Sequence, residues 1–144
     1  MRHLAIIAAF LAGTGSAAFG QEAIVTAFDG SFEDAAFAVE NAIVNRGLVI
    51  DHVSHVGEML NRTGTDVGSD KVIFQQADVF LFCSAVVSRE VMEADPLNIV
   101  YCPYGIAVAE TEAGVSIIHR DYPDGPMQRV EDLLAEIVAE AVAF

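Results

Sequence analysis

The segment that closes the chain carries an apolar stripe that only an α-helix packed on another layer of structure can bury. Its members recur at steps of three and four residues, the period of one helix face: Val130, Leu133, Leu134, Ile137, Val138, Ala141 and Val142. We predict this helix over residues 126–143. A second long helix is predicted over residues 31–46, with Ser31 as its N-terminal cap and Gly47 as its left-handed end.

Five other segments have the apolar, β-branched character of strands: residues 22–29, 48–56, 78–85, 98–110 and 115–122. Short helices are predicted at residues 57–64 and 88–95, the second stopped before Pro96, and a hairpin at residues 111–114. This order predicts an α+β fold, a two-layer sandwich in which two long helices cover one face of a mostly antiparallel sheet. We expect Tyr101, Tyr104 and phenylalanines on the other face, where a second subunit of a homodimer would cover them.

The first twenty residues have the pattern of a secretory signal. Arg2 and His3 precede an apolar run at residues 4–12, and Ala18 and Gly20 are the small residues expected before a cleavage site. We therefore predict a signal peptide at residues 1–20, cleavage before Gln21, and one periplasmic domain at residues 21–144. The apolar run is shorter than the roughly 20 residues of a membrane span, so no membrane association is expected after cleavage.

The chain is strongly acidic, with a net charge of −14. Nucleic acids and anionic lipids bind through Lys and Arg, so both are excluded as expected partners. The charge favours cations or a basic periplasmic redox partner, and it also favours solubility.

The stretch HVSHVGEML, residues 52–60, holds the candidate ligand set. His52 and His55 are three apart, and in a strand they point to opposite faces. His55 and Met59 lie one helical turn apart if a helix begins near Ser54. Imidazole and thioether suit copper(I), and they match the axial ligands of a cytochrome c haem, which would be non-covalent here because no CxxCH motif is present. The alternative is that His55 ends the strand and Met59 fills the core.

Cys83 and Cys102 allow three interpretations. In an exported protein an even number of cysteines favours a disulfide, but inert thiols, or functional thiols that serve redox chemistry or complete a metal site, remain open. Pro103 follows Cys102 and marks a strand edge or bulge.

Two charged groups are further candidates. Arg89 is expected to pair with Glu93 on an exposed helix face, or alternatively to bind an anion such as a sulfur oxyanion. His119-Arg120-Asp121 resembles part of a general-base set, but no nucleophilic serine motif accompanies it.

FCSAVVSREVMEADPLNIVYCPYGIAV, residues 82–108, resembles the signature region of the family called domain of unknown function 302. The matching features are Cys83, Ala94-Asp95-Pro96 and Cys102-Pro103, although the family is expected to have Pro before Cys. The resemblance covers about residues 24–120. It implies a TATA-binding-protein-like α+β fold, often dimeric, with no established activity. SHVGEMLNRTG resembles an exported branch that accompanies sulfur-oxidation and cytochrome systems.

The leading hypothesis is a periplasmic, non-enzymatic accessory domain that binds copper or haem through His55 and Met59, with Cys83 or Cys102 as further donors. The second is a thiol/disulfide redox or sulfur-carrier protein that uses the two cysteines, with Arg89 near the oxyanion. A third is a purely structural interaction domain. Neither a nucleophile elbow nor a basic stripe is present, so hydrolase and nucleic-acid functions are not expected.

Overall fold

A computed structural model describes residues 23–144. The predicted signal peptide and its cleavage site lie outside these residues. The described chain forms five strands and four α-helices: β1 (Ala23–Phe28), α1 (Phe32–Asn45), β2 (Val49–Ser54), α2 (Val56–Thr63), β3 (Gln76–Cys83), α3 (Ala85–Ala94), β4 (Tyr104–Thr111), β5 (Gly114–Arg120) and α4 (Gln128–Val142). Two 3-10 helices, Thr65–Val67 and Pro96–Tyr101, follow α2 and α3.

The five strands form one sheet in the order β1-β5-β4-β3-β2, and every neighbouring pair is antiparallel. Helices α1, α3 and α4 pack together over one face of this sheet, while α2 lies against β3. The predicted α+β two-layer sandwich is therefore confirmed. None of the helices in residues 23–144 is long and apolar enough to cross a membrane.

Local signals position the first long helix. The Ser31 hydroxyl accepts a hydrogen bond from the Asp34 N–H at 3.1 Å, which satisfies one free donor at the start of α1. Gly47 has a φ of 74° just beyond the helix end, a conformation that L residues rarely adopt.

The core lies between the helices and the sheet. Its largest fully buried side chains come from both layers: Tyr104, Phe82, Ile43, Ile106, Ile117, Leu134 and Ile137. The expectation that Tyr104 and the strand phenylalanines lie on the uncovered face was wrong. Alternation along β3 turns Phe80 and Phe82 toward the helices, and Val79 and Leu81 toward the open face.

The segment before β4 is also not the strand that its β-branched residues predicted. The Asp95 carboxylate accepts a hydrogen bond from the Leu97 N–H at 2.9 Å, and the Asn98 side chain donates to the Val91 carbonyl at 2.8 Å. With Pro96 at its first position, the chain turns into the 3-10 helix Pro96–Tyr101. The strand begins only at Tyr104.

Candidate functional site

His55 lies at the junction of β2 and α2, where the sequence predicted the change from strand to helix. It is the residue before the first helical turn, and its Nδ1 lies 2.7 Å from Oδ1 of Asp78 on β3. The His55 side chain is 60 % exposed, whereas that of Asp78 is 19 % exposed. The largely buried Asp78 carboxylate thus orients the His55 imidazole, and the other ring nitrogen, Nε2, remains available to solvent or a ligand.

Gly57 allows this pairing by bringing α2 against the backbone of β3. A Cβ placed on Gly57 would lie 2.5 Å from the backbone nitrogen of Ala77. Only glycine fits such a contact, because the neighbour is main chain in an interior strand and cannot rotate away. Asp78 is the next residue along that strand, so the close approach sets the distance between His55 and its partner.

His55 and Asp78 border an open cup of about 480 Å³, which we call the His55 cup. It is lined by Phe32, His55, Glu58, Asn61, Arg62, Gln75, Gln76, Ala77 and Asp78. The Gln76 amide donates to the Glu33 carboxylate at 3.0 Å at its margin, and this hydrogen bond is the main cause of the lowered pKa of Glu33. Seven of these nine residues carry polar or charged side chains, and such donors suit an ion better than a large apolar cofactor.

Met59 lies four residues after His55, in α2, but its side chain does not line the cup. Its backbone N–H donates to the His55 carbonyl at 3.1 Å. The side chain is 42 % exposed, and its sulfur lies 3.9 Å from the Thr63 hydroxyl. The structure therefore brings His55 and Met59 close along the helix and leaves the thioether outside the core.

Cys83 and Cys102 are joined as a disulfide, with their Cα atoms 6.7 Å apart. The bond ties the end of β3 to the residue after the second 3-10 helix, so it closes the segment that contains α3. Both cysteines are partly exposed.

The disulfide and His55 are at opposite ends of the β2–β3 pair. Cys83 pairs with Val49, whereas Ser54 pairs with Val79. Val49 and Ser54 are five positions apart along β2, about 16 Å at a rise of about 3.3 Å per residue. The four candidate donors predicted from the sequence therefore lie in two separate regions, with His55 and Met59 in one and Cys83 and Cys102 in the other. Among residues 23–144, no group of three or more His, Cys, Asp or Glu side chains is arranged to hold a metal ion.

Arg89 lies on the exposed face of α3. Its Nε is 2.9 Å from the Glu93 carboxylate, and both side chains are largely in solvent. The i,i+4 ion pair that the sequence offered as one alternative is present, and exposed pairs of this kind contribute little to stability.

Sequence reasoning missed a cavity on the uncovered sheet face, which we call the open-face cavity. It has a volume of about 380 Å³ and is lined by Ala23, Val79, Leu81, Val100, Tyr101, Pro103, Gly105, Ala107, Ile118, His119, Arg120 and Tyr122. The Arg120 guanidinium lies 5.8 Å from the centre of the Tyr101 ring, and that ring meets Tyr122 edge-on at 5.7 Å. The adjacency of His119, Arg120 and Tyr122 in the sequence was the one available signal.

The side chain of Tyr122 is almost wholly buried beside this cavity. Burial raises its pKa to about 12, although the positive charge of Arg120 acts in the opposite direction. The phenol is therefore neutral, and able to donate a hydrogen bond, at physiological pH.

These features define a small two-layer α+β domain with an open sheet face and two candidate binding places. The chain belongs to the DUF302 family: the family described as domain of unknown function DUF302 matches residues 24–143. Among solved structures, it is similar to the crystal structure of an uncharacterized conserved DUF302 protein from Bacillus stearothermophilus. That similarity has a TM-score of 0.66 at 12 % identity and covers 85 % of this chain and 97 % of the other, so it supports the shared fold alone. No curated protein matches this chain.

Proposed function

We propose that this protein is an exported, non-enzymatic accessory domain that binds a soft metal ion, copper(I), through His55. The observation that carries the proposal is the 2.7 Å contact between His55 Nδ1 and Asp78 Oδ1. Metal-binding histidines commonly donate their second ring nitrogen to a carboxylate, which fixes the ring and makes the ligating nitrogen more basic. The exposed ring then presents Nε2 to the ion.

Met59 supplies the second donor in this proposal. Thioether sulfur and imidazole nitrogen are both suited to copper(I), and the exposed Met59 side chain has the rotational freedom to approach from the next helical turn. Copper is preferred to haem because most residues that line the His55 cup are polar or charged and the cup is open, whereas haem needs apolar walls. The disulfide is too distant to add a donor.

The test is a competition titration of the purified protein with copper(I) against a chromophoric chelator. His55→Ala is expected to abolish binding and Met59→Leu to weaken it. Asp78→Asn is expected to weaken it roughly tenfold or more, because the orienting charge is lost. The matched control is His52→Ala, which removes an exposed histidine three residues away. Equal affinities for the wild type and His55→Ala would contradict the proposal, and addition of hemin followed by its absorption spectrum tests the haem alternative.

A second candidate function, thiol/disulfide exchange or sulfur transfer, is favoured by the proximity and partial exposure of Cys83 and Cys102. A functional pair must open at the potentials of its compartment. Thiol counting by mass spectrometry across a series of dithiol buffers measures this directly. A bond that stays closed below about −300 mV is structural, and that result excludes the exchange function.

In this proposal the protein acts in the periplasm as a homodimer and binds a basic redox partner of the sulfur-oxidation or cytochrome type. The second 3-10 helix supports self-association, because its side chains Leu97, Ile99 and Val100 form an exposed apolar ridge. Sedimentation of the wild type and of Leu97→Asp tests the dimer, and a mass measurement of the native N-terminus tests cleavage before Gln21.

A further inference from the structure

We propose that the open-face cavity binds a small organic monocarboxylate with an apolar body, its carboxylate held by Arg120 and Tyr122. The site is separate from the His55 cup and does not depend on the proposed copper function. Three features of the cavity carry this inference: a free cation, an unpartnered hydroxyl on a largely buried side chain, and an apolar floor.

Arg120 is the cation. It makes no ion pair with any carboxylate of residues 23–144, although acidic residues outnumber basic ones three to one in this chain, 21 against 7. Its guanidinium carbon lies 5.8 Å from the centre of the Tyr101 ring, which borders the group on one side. Because no described carboxylate pairs with Arg120, its N–H donors are free to meet a ligand carboxylate in the bidentate geometry that arginine favours.

The hydroxyl belongs to Tyr122. Its side chain is only 6 % exposed, and its backbone is held at both ends, by Glu131 on the N–H and by Gln128 on the carbonyl. The hydroxyl makes no hydrogen bond to any other described residue, yet no described polar side-chain atom is sealed from solvent without a partner. The oxygen therefore keeps some access to solvent, and we place that access in the cavity that Tyr122 lines, where the hydroxyl would donate a hydrogen bond beside Arg120.

Apart from His119, whose Nδ1 lies 3.0 Å from the Arg120 carbonyl oxygen, most of the remaining lining is apolar and selects the body of the ligand. Val79, Leu81, Ala107 and Ile118 form the floor on β3, β4 and β5, and Gly105 leaves space for the Leu81 and Val79 side chains. A volume of about 380 Å³ is at the small end of ligand sites. A single guanidinium in a chain of net charge −14 balances one negative charge, so polyanions are disfavoured.

The experiment compares octanoate, 1-octanol and octylammonium, which share one chain and differ in the charge of the head group. Isothermal titration of the purified full protein is expected to give saturable binding of octanoate and much weaker binding of the other two. Arg120→Gln is expected to weaken octanoate binding roughly tenfold or more, because a charge-assisted hydrogen bond is lost. Tyr122→Phe removes only the hydroxyl and is expected to weaken it roughly two- to tenfold.

Arg129→Gln is the matched control, because it removes the same charge from an exposed arginine that pairs with Glu90. It should bind octanoate as the wild type does, and so should His55→Ala. Circular dichroism checks that each variant is folded. The proposal is overturned if octanoate does not bind, if octanol binds as well as octanoate, or if Arg120→Gln and Arg129→Gln have the same affinity.

Discussion

Replacing Gly57 with alanine tests whether the close approach of α2 to β3 determines the His55–Asp78 contact. Two effects oppose each other. Alanine is favoured over glycine inside a helix by about 1 kcal/mol, whereas overpacking a tight contact costs about 1–3 kcal/mol. The added Cβ would meet the Ala77 backbone nitrogen at 2.5 Å, where the interior strand cannot yield. We therefore expect Gly57→Ala to lower the free energy of unfolding by up to about 2 kcal/mol.

The same substitution should disturb the proposed copper site. Restoring an ordinary contact of 3.4 Å requires the helix and strand to separate by about 0.9 Å. If the start of α2 moves with it, the 2.7 Å distance between His55 and Asp78 grows to about 3.6 Å, beyond hydrogen-bond range. The ring then loses its orientation, and copper(I) affinity should fall about as far as in Asp78→Asn.

Urea denaturation followed by circular dichroism measures the stability, and the chelator competition measures the affinity. Glu40→Ala, an exposed change in α1 away from the cup, should alter stability by less than about 0.5 kcal/mol. The reasoning is refuted if Gly57→Ala is more stable than the wild type and binds copper(I) equally well, since the higher helix propensity of alanine alone would then explain the change in stability.

Three further predictions concern the disulfide, the buried phenol and the core. Joint replacement of Cys83 and Cys102 by alanine should lower the free energy of unfolding by about 3 kcal/mol, because the unfolded chain regains the closed loop; an unchanged urea midpoint would contradict this. Tyr122 has a pKa of about 12 in the folded protein against its ordinary 10.0, so its contribution to stability is complete below pH 10 and is lost as the pH rises toward 12. Denaturation at a series of alkaline pH values should show this loss in the wild type and a smaller one in Tyr122→Phe. Leu134→Ala should cost about 2–5 kcal/mol because the side chain is fully buried, whereas Val86→Ala, at an exposed position, should change the calorimetric unfolding temperature little.

The succession of helices and strands could be predicted because its signals are local. Ser31, Gly47 and the stripe ending at Val142 mark the two long helices within one or two residues of their observed bounds. The face that each strand turns to the helices was harder to predict. In the apolar runs around Phe82 and Tyr104 both faces are apolar, so alternation gives no indication of which is covered.

The candidate sites were predicted only in part, because their partners come from distant segments. His55 was recognised from its neighbours, but Asp78 lies inside an apolar strand and gave no sign of pairing with it. The open-face cavity brings Tyr101 next to Arg120 and Tyr122, which are distant from it in the sequence. Tyr101 reaches this position because it ends a 3-10 helix, whereas the β-branched residues of that segment predicted a strand.

The order of the strands in the sheet bears on when this chain can fold. β1 has one neighbour, β5, and Ala23 pairs with Arg120 near the far end of the sequence. β1 therefore has no strand to pair with until the ribosome has synthesised the chain as far as β5. Such long-range pairing slows folding, because the entropy of closing a long loop is lost before the contact can form.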